Sequence, residues 1–157
     1  MRKVYLAGPL FSEAELNFNR NIRDILAEYF EVYLPQEDGG LMLEMLKQGT
    51  ALRDAQRLVF AYDVEAIRKA DYVLIILDGR SVDEGASFEL GYGYALGKRC
   101  VGFQTDPRRL LPVGNNPMLE CALEHILTSK ADLISWAGQE SAKYDEFRES
   151  IVLNEGV

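Results

Sequence analysis

The sequence predicts a doubly wound α/β fold, a parallel sheet of about five strands with helices on both faces. Three observations carry this. Short apolar runs, Val4-Tyr5-Leu6-Ala7 and Tyr72-Val73-Leu74-Ile75-Ile76-Leu77, have the length and continuity of strands buried on both sides. Stretches of helical periodicity separate them, with apolar residues three and four apart. Polar turns rich in Gly, Pro and Asp follow the strands, at 8–9, 36–38, 78–83 and 105–116. In such sheets ligands gather beyond the carboxyl ends of the strands, where all four of these turns fall.

The elements follow in order. A strand over 4–7 stops at Gly8-Pro9, and Ser12 with Glu15 forms a capping box that opens a helix. The inward stripe of that helix is Phe18, Ile22, Ile25, Leu26 and Tyr29. A second strand over 32–34 ends at Pro35, a polar loop covers 36–40, and a short helix spans 41–46. A longer helix runs over 52–70, with Leu58, Val59, Tyr62, Ala66 and Ile67 on its apolar face and Asp63 set along it. The third strand, 72–77, precedes a helix over 85–96 that Gly97 is placed to end. A fourth strand at 100–104 leads to a loop over 105–117 and a helix over 118–127. Residues 132–136 are expected as a fifth strand and 140–152 as the last helix. No repeat or linker appears, so the chain is expected to be one domain over 1–157.

Composition narrows the function. A net charge of −8, from 17 basic and 25 acidic residues, argues against nucleic acid or an anionic membrane as partner. Met1-Arg2-Lys3 leads straight into a strand, no apolar run reaches spanning length, and the two cysteines lack metal or redox spacing. A cytoplasmic protein is expected. Nucleotide-phosphate and metal-protease motifs are absent, and Gly91 with Gly93 falls inside a helix instead of after a strand, so no metal and no dinucleotide cofactor is expected.

What remains is a set of carboxylates. Gly85, Glu89 and Gly93 share one helix face, so Glu89 is flanked by positions with almost no side chain, where a ligand or backbone can approach. That makes Glu89 a candidate nucleophile or base. Asp63 on an apolar stripe is a second candidate, because buried acids without partners are rare; a salt bridge to Arg68 or Lys69 is the plainer alternative. Asp83 stands where a helix N-cap would stand and could also face the cleft. Tyr5, at the end of the first strand, could be core or could hydrogen-bond a carboxylate. His125 is the only histidine and is expected to be structural or exposed. Several carboxylates without a histidine base suit glycosyl transfer.

Together these residues resemble the nucleoside 2-deoxyribosyltransferase family. The matching pieces run from residue 4 to residue 118: Val4-Tyr5-Leu6-Ala7-Gly8-Pro9-Leu10-Phe11, Tyr62-Asp63, Ala70-Asp71-Tyr72-Val73, Asp83-x-Gly85-x-x-x-Glu89-Leu90-Gly91 and Asn116-Pro117-Met118. The resemblance implies a flavodoxin-like fold and exchange of the nucleobase of 2′-deoxyribonucleosides, with Glu89 as nucleophile. It implies Asp63 as proton donor near the leaving base and Tyr5 as the residue that positions Glu89. Asp83 would bind the sugar 5′-hydroxyl with Asn116 of a neighbouring subunit, and Gly8, Phe11, Gly85 and Met118 would line the substrate site. A homo-oligomer, dimer or hexamer, with shared active sites and no cofactor is implied, its substrates being a deoxynucleoside and a free base. A sister group hydrolyses 2′-deoxynucleoside 5′-monophosphates and carries small hydroxyl residues where this chain has Asp83 and Asn116. A non-catalytic nucleotide-sensing module on the same fold is the other alternative.

Overall fold

The computed structural model describes residues 1–40, 42–108 and 114–154. Five parallel strands form one sheet: β1 (Lys3–Ala7), β2 (Glu31–Tyr33), β3 (Tyr72–Ile76), β4 (Arg99–Phe103) and β5 (His125–Leu127). Their spatial order is β2-β1-β3-β4-β5, the flavodoxin-like winding, which reverses direction between β1 and β3. That switch point opens a crevice at the carboxyl ends of β1 and β3.

Alternation along each strand sorts side chains between the two faces. Val4 and Leu6 of β1, with Tyr72, Leu74 and Ile76 of β3, pack against α1 (Glu13–Ala27) and the long α7 (Lys130–Asn154). Tyr5 and Ala7, with Val73 and Ile75, face α4 (Leu52–Lys69) and α5 (Glu84–Ala95). The capping box expected at Ser12 and Glu15 is present at the start of α1. Gly97, at φ +72°, ends α5 by letting the Lys98 amide reach the Gly93 carbonyl at 3.0 Å. A Cβ at Gly93 would lie 2.5 Å from Val73 Cγ2, so only glycine lets α5 sit this close to β3.

Several expectations are corrected. Residues 36–40 are not an open loop throughout: Pro35 starts a one-turn helix, α2 (Pro35–Asp38), before α3 (Met42–Lys47). On α4 the inward positions are Ala55 and Ile67 with Val59 and Asp63 half-buried between them, whereas Leu58 and Tyr62 are 41% and 49% exposed on the outer flank. The expected helix over 118–127 is a single turn, α6 (Pro117–Glu120), followed by β5. Leu119, Ala122, Leu123 and Ile126 all touch the core at helical spacing, yet a turn and a strand satisfy that spacing here. Residues 132–136 are helical, not a strand. Ser129 Oγ accepts from the Asp132 amide at 3.1 Å to open α7, and Leu133, Trp136, Ala137 and Glu140 form its buried stripe. Glu140 holds α7 to the sheet by accepting from Tyr72 of β3 at 2.8 Å and by pairing with Arg99 of β4, while Lys143 of α7 itself donates to it at 2.8 Å. Among the described residues no helix is long and apolar enough to cross a membrane.

Candidate active site

Parity places the site. Tyr5, Tyr33 and the inward faces of α4 and α5 lie on the same side of the sheet, at the switch-point crevice. The Tyr5 hydroxyl donates to Glu89 Oε1 at 2.6 Å. The Tyr33 hydroxyl donates to Asp63 Oδ1 at 3.1 Å. The two phenol rings stack, with centroids 5.4 Å apart and planes 16° from parallel. Two carboxyls from two helices are thus each held by a tyrosine from one of two adjacent strands.

Both carboxyls open onto a cleft of about 270 Å³ between α4 and α5, lined also by Met42, Val59, Phe60, Gly85 and Phe88. Gly85 and Gly93 divide the labour on either side of Glu89. Gly93 seats the helix on β3, and Gly85 leaves the cleft side open, since a Cβ there would meet only Asp83 Oδ1, at 3.2 Å. Phe60 and Phe88, 58% and 53% exposed with centroids 6.0 Å apart, form an aromatic rim suited to a planar base. A larger groove of about 440 Å³ lies between β2 and α4, but there Lys3 pairs with Glu31 and Lys69 with Glu65.

The electrostatics match the burial. Desolvation pushes the Glu89 carboxyl up to about 8; the Tyr5 hydrogen bond opposes this, and the nearby charges of Asp63 and Asp83 reinforce it. Desolvation likewise pushes Asp63 up to about 6, against the Tyr33 hydrogen bond. Burial and then the charges of Glu89 and Asp63 hold the Tyr5 phenol far above its ordinary range, so it stays a donor. The salt-bridge alternative for Asp63 is not realised: Lys69 pairs with Glu65, and Arg68 donates to Tyr92 at 2.8 Å.

The structure brings together Tyr5, Asp63, Glu89 and Gly85 and sets other expected residues apart. Asp83 is the N-cap of α5, accepting from the Ala86 amide at 2.8 Å, and it is close enough to Glu89 to raise that carboxyl. Gly8 lies under β3, where a Cβ would meet Ile76 Cδ1 at 3.1 Å. Phe11 and Met118 are 80% and 83% exposed. Asn116 caps α6, accepting from the Met118 amide at 2.9 Å, and lines a separate polar pocket with Arg80, Ser87 and Asn115. Asn116 and Met118 do not line the cleft of Glu89 in their own chain. His125 is exposed, on β5 instead of on a helix. Tyr33 and the Phe60–Phe88 rim are not among the residues expected from sequence: Phe60 and Phe88 lie within two residues of Tyr62 and Glu89, whereas Tyr33 stands in a stretch with no motif.

The family model for nucleoside 2-deoxyribosyltransferase matches residues 4–149. The chain belongs to that family. Among solved structures, a conserved protein from Enterococcus faecalis aligns over 89% of this chain and 99% of its own, at 25% identity and TM-score 0.71. A 2-deoxyribosyltransferase from the psychrotolerant bacterium Bacillus psychrosaccharolyticus aligns over 84% and 90% at 26% identity, TM-score 0.70. A CMP N-glycosidase from Clostridium botulinum shares the fold at 17% identity and TM-score 0.52, over 93% and 99% of the two chains. An uncharacterised protein of Ureaplasma parvum is 30% identical over 99 residues, 61% of each chain. The family is named for the transfer of 2-deoxyribosyl groups of nucleosides.

Proposed function

We propose that this chain exchanges the nucleobase of 2′-deoxyribonucleosides by double displacement through a deoxyribosyl ester on Glu89. The observation that carries this reading is the Tyr5 hydroxyl donating to Glu89 at 2.6 Å while Asp63 faces the same cleft. A carboxylate held through one oxygen has the other free to attack.

In the first half-reaction the free Glu89 oxygen attacks the anomeric carbon through an oxocarbenium-like transition state. The glycosidic C–N bond breaks, its electron pair stays on the base nitrogen, and Asp63 supplies the proton. In the second, an incoming base attacks the same carbon from the face the first base left. The ester C–O bond breaks, Glu89 is regenerated as a carboxylate, and Asp63 takes the proton of the incoming nitrogen. Two inversions give retention. A 2′-hydroxyl would withdraw electrons from the cationic transition state, so the deoxy sugar reacts more readily.

Asp83 belongs to this reading as the acceptor for the 5′-hydroxyl. The homo-oligomer belongs to it as well: Asn116 and Met118 lie outside the cleft of their own chain, which supports their service in a neighbouring copy. The experiment is incubation with deoxyinosine and free adenine, with chromatography of the products. Deoxyadenosine is expected, and the Glu89→Ala variant should form none, a loss of several orders of magnitude, on the order of 5 kcal/mol of barrier. Free hypoxanthine without deoxyadenosine would transfer the reading to hydrolysis. Near-normal exchange by Glu89→Ala would remove Glu89 as the nucleophile.

A further inference from the structure

We propose that Tyr33 is a positioning residue for the acid of the site, aiming the Asp63 carboxyl by a phenol hydrogen bond while its ring locks Tyr5, and through it Glu89, at a fixed spacing. The proposal rests on the transferase reading above for the role it gives Asp63.

Three observations carry it. The hydroxyl of Tyr33 donates to Asp63 Oδ1 at 3.1 Å, and its ring stacks on the ring whose hydroxyl holds Glu89. Because β1 and β2 are paired in register, with Tyr5 beside Tyr33, the two phenols leave the sheet in parallel. The third observation is the backbone roof over the pair. A Cβ at Gly39 would lie 2.7 Å from Asp63 Oδ1 and 3.1 Å from the Tyr33 hydroxyl oxygen. It would also meet the Pro35 carbonyl at 2.8 Å, so the backbone there has little freedom to yield. The chain after β2 therefore closes over the hydrogen bond, and only glycine permits this. One carboxylate oxygen of Asp63 is committed to Tyr33, which restricts where the other can present a proton.

The groups facing the pair are Tyr5 from β1, Asp38 from α2 and Glu89 from α5. Lys3 and Lys69, which share the outer groove with Tyr33, are engaged with Glu31 and Glu65. The Tyr33 hydrogen bond therefore stands against acidic neighbours, and it favours the ionised form of Asp63.

Tyr33→Phe keeps the stacked ring and removes only the donor. Its expected effect is roughly a tenfold lower kcat for deoxyinosine with KM within about twofold, because the loss falls on proton delivery instead of binding. The acidic limb of the kcat/KM profile should move up by about one pH unit, since the carboxylate loses a donor that stabilised its charge. Tyr33→Leu, which removes the stack as well, should fall further in kcat. In substrate-free protein, carboxyl-carbon NMR should show Asp63 titrating higher in Tyr33→Phe than in wild type, with Asp63→Asn identifying the signal. That titration does not depend on turnover. If wild type neither exchanges nor hydrolyses deoxynucleosides, the transferase reading fails while the coupling of Tyr33 to Asp63 is still decided. An unmoved Asp63 midpoint, or a profile lowered equally at every pH, would overturn the positioning role and leave Tyr33 as packing.

Discussion

Replacing Glu89 with glutamine should stabilise the protein while destroying its activity. The Glu89 carboxyl is half-buried, held by Tyr5 of β1 and facing α4 across the cleft, and desolvation raises it from 4.5 to about 8. A folded-state value above the unfolded one means the native state binds the proton more tightly. The penalty for holding this group is therefore absent below pH 4.5, grows as pH rises, and levels off above 8. At about 1.36 kcal/mol per unit, the difference amounts to roughly 3 kcal/mol at pH 7 and somewhat under 5 kcal/mol at pH 9. Glutamine has nearly the same volume, carries no charge, and can still accept the Tyr5 hydroxyl hydrogen. Denaturant unfolding of Glu89→Gln and wild type at one protein concentration should show near-equal stability at pH 5. At pH 9 the variant should be more stable by about 2–4 kcal/mol, several degrees in Tm for a chain of this size. Equal stability at pH 9, or a difference that does not change with pH, would refute the claim that Glu89 is held against its ionisation.

Other expectations are as direct. Asp63→Asn should slow departure of poor leaving groups far more than activated ones, measured as kcat across a series of deoxyribosyl donors; a uniform factor would make Asp63 a positioning residue. The wild-type kcat/KM profile should be bell-shaped, with limbs near the Asp63 and Glu89 values of about 6 and about 8, and in Asp63→Asn the alkaline fall should vanish. Deoxynucleoside 5′-monophosphates should react at least about a hundredfold less efficiently than deoxynucleosides, roughly 2.7 kcal/mol, because Asp83 repels a dianion that brings no proton to donate. Asp83→Ser with Asn116→Ser should narrow that gap in a direct competition assay, and equal use of both substrates by wild type would return Asp83 to a capping role alone.

Legibility in the sequence followed the range of the interaction. The capping box at Ser12 and Glu15, the glycine stop of α5 and the buried runs of β1 and β3 are written within a few neighbouring residues, and all are present. Asp63 was visible because a charge on an inward stripe breaks a local pattern. The carboxyl-terminal third was not legible: the helical spacing of Leu119, Ala122, Leu123 and Ile126 is met by a turn and a strand once β5 has β4 to pair with. Tyr33 was missed for the same reason. Its partner Asp63 is 30 residues away, and only the parity of β2 in the assembled sheet decides that the phenol faces α4. The separation of Asn116 from the Glu89 cleft depends on which side of α5 each residue meets, a property of packed helices that no spacing along the chain encodes.

The order in which the two carboxyls titrate bears on the proposed chemistry. At neutral pH the empty site holds one proton on the pair, and it rests mainly on Glu89, the group raised to about 8. The proposed reactive form is the opposite one, Glu89 ionised and Asp63 protonated. That form is the minor one in the free protein, and the cost of reaching it is partly returned. The carboxylate with the higher value is the stronger nucleophile, and the acid with the lower value gives up its proton more readily. With the assignment reversed, the ground state would be the reactive form, but a weaker nucleophile would face a weaker acid. Two tyrosines serve this arrangement from adjacent strands. Tyr5 keeps Glu89 from rising further, and Tyr33 does the same for Asp63. The stacked pair thereby limits the burial penalty on both carboxyls while the order of their titration is preserved.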